Sequence, residues 1–146
     1  MKLHRDLNLL HPHLHSCVKL IQSKIIDPHN VPIRIFETGR DHERHQMLLK
    51  KGKTTSVISK HWYNLENSPP LYATAISYVY FDTKWSWNLR DSTTNAWYNL
   101  FGNLVLDLCP ELQWGGYSRK SVNFCHFELS RPFIIDTLSV IPCVLT

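Results

Sequence analysis

Long uniform stretches are missing from this sequence. Its 16 basic and 12 acidic residues never make a run of five like charges, so the net charge of +4 is spread thinly. Such a balance suits an anionic partner, but no nucleic-acid recognition motif accompanies it, and none is expected to bind. The four cysteines, Cys17, Cys109, Cys125 and Cys143, contain no CxxC pair. That excludes the usual zinc-ribbon and thioredoxin-like spacings and leaves reduced core thiols as the expected state. The first residues, MKLHRDLNLLHPHLHS, lack an apolar run and a small-residue cleavage site, so no signal peptide is expected and synthesis is placed in the cytoplasm. The apolar tail 133–145 is too short to span a bilayer and is interrupted by Pro142. No repeat, linker or low-complexity segment divides the chain.

What is present describes one globular domain, 1–146, with 43% apolar and 19% charged residues. His11-Pro12 opens a helical pattern whose apolar face is Leu14, Val18, Leu20, Ile21 and Ile25, ending near Asp27-Pro28. VPIRIFETG, 31–39, alternates and predicts a strand. Asp41 to Lys51 predicts a charged surface helix closed by Gly52. A loop over 53–70 leads to LYATAISYVYF, 71–81, which is rich in β-branched and aromatic residues and predicts the strongest strand. Asp91 to Leu108 has helical periodicity through Trp97, Leu100, Phe101, Leu104 and Leu108, and Pro110 stops it. A Gly115-Gly116 turn precedes a last strand from Phe124 to Leu129. Helices and strands mix without regular alternation, which predicts an α+β class.

The chemistry lies among nine histidines. His4, His11, His13 and His15 cluster near the N-terminus and are read as surface or packing residues. His42 and His45, three apart on the charged helix, are expected to be exposed. His61 and His126 differ, because each sits at or beside a strand. Imidazoles on separate strands, with a carboxylate as third ligand, build open zinc sites. Two distant histidines also coincide by chance, and spacing alone leaves both readings open. Most of Trp62, Tyr63, Tyr72, Trp85, Trp87, Trp97 and Trp114 are expected in packing, with Trp62 and Tyr63 placed to line a groove.

Several blocks carry a family likeness: Leu7 to Leu14, Gly39-Arg40 and the helix after it, Gly52-Lys53-Thr54, Ser59-Lys60-His61, Ala75-Ile76, Ser86-Trp87, Trp114-Gly115-Gly116 and His126-Phe127-Glu128-Leu129. With these the sequence resembles peptidase family M15, the L-alanyl-D-glutamate and D-alanyl-D-alanine zinc peptidases that include many phage endolysins. The resemblance covers about residues 7–129 and leaves 130–146 as a C-terminal extension. It implies a small D-Ala-D-Ala peptidase, hedgehog-like fold with a central antiparallel sheet flanked by helices. It also implies a bound Zn2+, bacterial peptidoglycan peptide as substrate, and a monomer. Carried over, His61 and His126 are metal ligands, Arg40 binds a substrate carbonyl or carboxylate, and Glu128 supports the site.

Two positions depart from the family pattern. Ser77 stands where the zinc-binding aspartate is expected, and a neutral hydroxyl is a poor replacement for a carboxylate. Asn123 stands where the general base is expected, and an amide takes no proton from water. Asp82 and Glu66 are the acids that sequence offers as substitutes, Asp82 being on the wrong face if its strand stays regular. Cys125, beside His126, is expected to point away from the site. The implied function is zinc-dependent cleavage of peptidoglycan stem peptides, impaired by these two changes. The alternative is a non-catalytic module on the same fold that binds cell-wall peptide or a protein partner.

Overall fold

The computed structural model describes residues 2–54, 59–119 and 122–130. Cys143 and the apolar tail 133–145 lie outside the described residues. Five strands form one sheet: β1 (Ile33–Glu37), β2 (Ala75–Phe81), β3 (Trp85–Ser86), β4 (Leu112–Trp114) and β5 (His126–Leu129). Their order is β1-β2-β5-β4, with the short β3 paired to β2, and every pairing is antiparallel. The helices are α1 (Pro12–Ile21), α2 (Asp27–His29), α3 (His42–Lys50) and α4 (Ser92–Leu108). The expected α+β class with a central antiparallel sheet flanked by helices is what forms.

Period-two alternation assigns the two faces of the sheet. Ile76 and Tyr78 of β2, with Phe127 and Leu129 of β5, are buried in the core against Leu14, Val18 and Ile21 of α1 and Tyr98, Phe101 and Val105 of α4. Aromatic edges bind this core together, with the Tyr78 and Phe101 rings 5.1 Å apart and Phe101 and Phe127 5.7 Å apart. Ser77 and Val79 of β2 and His126 and Glu128 of β5 face the other way, into a cavity.

Helix α1 begins as its sequence dictates, with Pro12 in the first turn and His11 as cap, its Nδ1 accepting from the His13 N–H. Its helical run ends at His29, next to the expected Asp27-Pro28, but not as one regular helix. A π-helical turn, Gln22–Ile26, carries the chain into α2, where Pro28 falls in the first turn and needs no N–H partner. Asn30 then ends it in the left-handed conformation at φ 50°. Leu20, expected on the apolar face, is 44% exposed.

Helix α4 starts at its expected cap, where an Asp91 carboxylate oxygen accepts from the Thr94 N–H at 2.9 Å. Its buried stripe is Thr94, Tyr98, Phe101, Gly102 and Val105, whereas the expected Leu100 is 51% exposed. Gly102 sets that rotation. A Cβ there would lie 2.3 Å from the Trp114 ring, so the helix presents its one bare position to the indole and Leu100 turns outward. Among the described residues no helix is long and apolar enough to cross a membrane.

Candidate active site

Strand register brings three side chains into one row across the cavity floor. Ser77 lies opposite Glu37 on one side and opposite His126 on the other. Glu37 reaches this row only through a β-bulge. Ile33 and Ile35 pair with Tyr80 and Tyr78 on the core face, and the register shift between Ile35 and Glu37 turns the carboxylate to the cavity. Plain alternation would have put Glu37 on the apolar face with Ile33 and Ile35.

His61 enters from the loop before β2. The Arg40 N–H donates to the His61 carbonyl at 2.7 Å, and Arg40 and Trp62 form an isolated parallel bridge, so Arg40 and His61 are fixed together. His61 Nδ1 lies 3.1 Å from the Thr38 carbonyl. A carbonyl only accepts, so the proton sits on Nδ1 and the Nε2 lone pair faces Ser77 Oγ, 3.5 Å away. Burial, then the neighbouring His126 and Arg40, hold His61 down at about 3, so it stays neutral. The His61 and His126 ring centroids are 5.5 Å apart. The structure thus brings together the two histidines and Ser77 at the position the resemblance gives the aspartate.

Charge pairs flank this row on both sides. Glu37 is 2% exposed and accepts from Arg40 Nε at 3.1 Å, Arg40 Nη2 at 2.8 Å and Arg44 Nε at 2.7 Å. Burial alone would raise its carboxyl, but the hydrogen bonds from Arg40 and Arg44 outweigh that and hold it at about 2. Among the described residues Arg40 makes no other side-chain bond, so the rest of its fork is available to a ligand. On the opposite side Glu128 accepts from Lys60 Nζ at 2.6 Å and lies 2.9 Å from His126 Nε2. Burial raises Glu128, while His126 and Lys60 pull it down to about 2, leaving it a carboxylate.

Asn123 lies at the cavity mouth, where Gly115 holds it. A Cβ on Gly115 would sit 2.4 Å from the Asn123 carbonyl oxygen, and the Asn123 N–H donates to the Gly115 carbonyl at 3.0 Å. The Asn123 side chain is spent on its own turn, accepting from the Cys125 N–H at 3.2 Å. Neither substitute acid is present: Glu66 and Asp82 are exposed and do not line the cavity. Cys125 reaches the cavity wall, but its Sγ lies 3.6 Å from the Tyr98 hydroxyl, and burial pushes the thiol up to about 11, too high for a nucleophile at neutral pH.

Three expectations about the rim are corrected. His45 is fully buried, its ring 5.2 Å from Trp62, because the charged helix α3 turns one residue inward to meet that indole. Trp62 and Tyr63 do not line the cavity: Trp62 packs against His45, and the Tyr63 hydroxyl lies 3.2 Å from His4 Nε2. The aromatic lining comes instead from Phe36, Trp87, Trp114 and Tyr117, with Trp87 51% and Tyr117 62% exposed. The cavity has a volume of about 1320 Å³.

The donors fit a hydrolytic zinc centre poorly. His61 offers one lone pair. The carboxylate beside His126 Nε2 accepts only, so that nitrogen carries the proton and the His126 lone pair is left on Nδ1, while a neutral hydroxyl in place of a carboxylate stands at the third position. Among the described residues, the group of histidine, cysteine and carboxylate atoms lying within 4.8 Å of one another is elsewhere, at His13, Cys17 and Glu111.

Among solved structures, this chain is similar to the Serratia marcescens L-Ala D-Glu endopeptidase ChiX. The TM-score is 0.65 over 88% of this chain and 86% of that one, at 20% sequence identity. The chain shares the fold of that endopeptidase. No protein-family model matches the sequence, and no curated protein matches it. At that identity the likeness establishes architecture, and the residues in the cavity have to carry the chemistry.

Proposed function

We propose that this chain binds the stem peptide of bacterial peptidoglycan in its cavity, with hydrolysis of that peptide disabled at Ser77 and Asn123. The observation that carries the reading is the charge of the lining: Arg40, Arg44, Lys53 and Lys60 against Glu37 and Glu128. Stem peptides present free carboxylates on D-glutamate and on the terminal D-alanine, and planar guanidinium is the side chain suited to them. Arg40 is held by Glu37 in a bidentate pair, so its remaining donors meet a carboxylate without first being ordered. Trp87 and Tyr117 supply apolar contact at the rim.

Hydrolysis requires a base for water and a charged partner for a metal. Asn123 and Ser77 supply neither. The experiment is calorimetric titration of the unmodified chain with a soluble L-Ala-D-Glu-containing stem peptide, alongside Arg40→Ala. Binding that Arg40→Ala weakens about 10- to 100-fold supports the reading, on the scale of a charged hydrogen bond. No heat and no competition from a chain shown to be folded overturns it.

A second reading, zinc-dependent cleavage of an L-Ala–D-Glu or D-Ala–D-Ala bond in the manner of an endolysin, is favoured by one observation. The His61 and His126 rings lie 5.5 Å apart beside Ser77, which brings together the two imidazoles the resemblance implies as metal ligands. Release of new amino groups from purified peptidoglycan, with added zinc and not with chelator, would replace the first reading with this one.

A further inference from the structure

Helix α1 and the turn between α4 and β4 meet at a cluster that none of the cavity chemistry uses. His13 and Cys17 are one helical turn apart on α1, at the i, i+4 spacing that puts two side chains on one face. Glu111 follows Cys109 and Pro110 after the end of α4 and faces the same point. Cys17 is 2% exposed, and its Sγ donates to Glu111 Oε1 at 2.8 Å. His13 Nε2 lies 3.5 Å from the same oxygen. One nitrogen, one sulfur and one oxygen therefore lie within 4.8 Å of one another, and none of these residues lines the cavity.

We propose that His13, Cys17 and Glu111 form a metal site of their own, a zinc staple joining α1 to the α4–β4 turn. Mixed nitrogen, sulfur and oxygen donors suit zinc, a borderline-soft ion. Zinc bond lengths put two tetrahedral donors about 3.4–3.7 Å apart. The His13–Glu111 separation already meets that value. The Cys17–Glu111 separation is shorter because a proton, not a metal, sits between the atoms. Binding breaks the Sγ–H bond, forms a sulfur–metal bond and releases the proton to solvent. The His13 and Glu111 side chains are 46% and 18% exposed, so the fourth position opens to water. The two packed elements gain a metal cross-link in place of the Cys17–Glu111 hydrogen bond that joins them without it.

The test uses untagged full-length protein and Co2+ as a spectroscopic stand-in. One equivalent is expected to give a thiolate-to-cobalt charge-transfer absorption that zinc displaces. The band is expected to vanish in Cys17→Ala and to persist in Cys125→Ser, Cys109→Ala and the His61→Ala, His126→Ala double variant. His13→Gln changes an exposed side chain and leaves the fold intact; it is expected to weaken cobalt binding about tenfold or more. Zinc is expected to raise the Tm of the unmodified chain by more than that of His13→Gln. Absence of the thiolate band in the unmodified chain, its survival in Cys17→Ala, or unchanged affinity in His13→Gln overturns the proposal.

Discussion

The two sides of the cavity have been built to different standards. On the arginine side, Glu37 is buried and bonded to both Arg40 and Arg44, and a bulge in β1 is maintained to aim it. On the histidine side, His61 is ordered by the Thr38 carbonyl, but its partners are a hydroxyl at 3.5 Å and a His126 turned to Glu128. A buried ion pair with a missing member is costly, so an intact one marks a region still held in shape. The ion pairs there are complete, next to a row whose third position is a neutral hydroxyl. On the proposed function, recognition and hydrolysis are therefore expected to be separable, each altered without the other.

The largest effect is expected from restoring the acids. Ser77→Asp with Asn123→Asp is predicted to raise amino-group release from peptidoglycan about 10²- to 10⁴-fold, the range contributed by a positioned base, and a chelator is predicted to abolish it. If that variant binds zinc tightly and releases nothing, the assignment of these two positions is wrong.

Next in size is Glu37→Gln, predicted to cost about 3–5 kcal/mol in denaturant unfolding because it leaves two partly buried guanidiniums, Arg40 and Arg44, without their carboxylate. Its pH behaviour sharpens the point. Glu37 titrates at about 2 when folded and near its ordinary 4.5 when unfolded. Its contribution is full above 4.5 and is lost as pH falls from 4.5 toward 2. Unfolding followed across that window is expected to show a shallower acid loss in Glu37→Gln.

Arg40→Lys comes third. It keeps the charge and loses the fork, and is expected to weaken stem-peptide binding about tenfold, between the unmodified chain and Arg40→Ala. The smallest effect belongs to the other side: Lys60→Met is expected to change stability by less than about 1 kcal/mol, since Lys60 is 52% exposed. A loss as large as that of Glu37→Gln would erase the contrast between the two sides.

Much of this is legible in the sequence alone. Asp91 and Pro110 delimited α4, Gly52 closed α3 at φ 65°, and the β-branched run ending at Phe81 became β2, although its first residues, Leu71 and Ala73, make only isolated bridges. His61, Ser77 and His126, picked out on the family likeness, lie side by side at the cavity. The misses share a cause: each depends on a partner distant in sequence. Glu37 needs the bulge, His45 needs Trp62, and the face of α4 needs Trp114 seated on Gly102. The readings of His13 as a surface residue and Cys17 as a core thiol hold, and what sequence spacing does not show is that Glu111, 94 positions beyond Cys17, lies beside both. The short β3 and β4 are two and three residues long and leave no periodic signal.

The most direct test of the account is amino-group release from purified peptidoglycan by the unmodified, demonstrably folded chain, with added zinc and with a chelator. The account predicts no release in either arm from a chain that still binds soluble stem peptide. Chelator-sensitive release would contradict it and would show that a working centre persists without acids at positions 77 and 123.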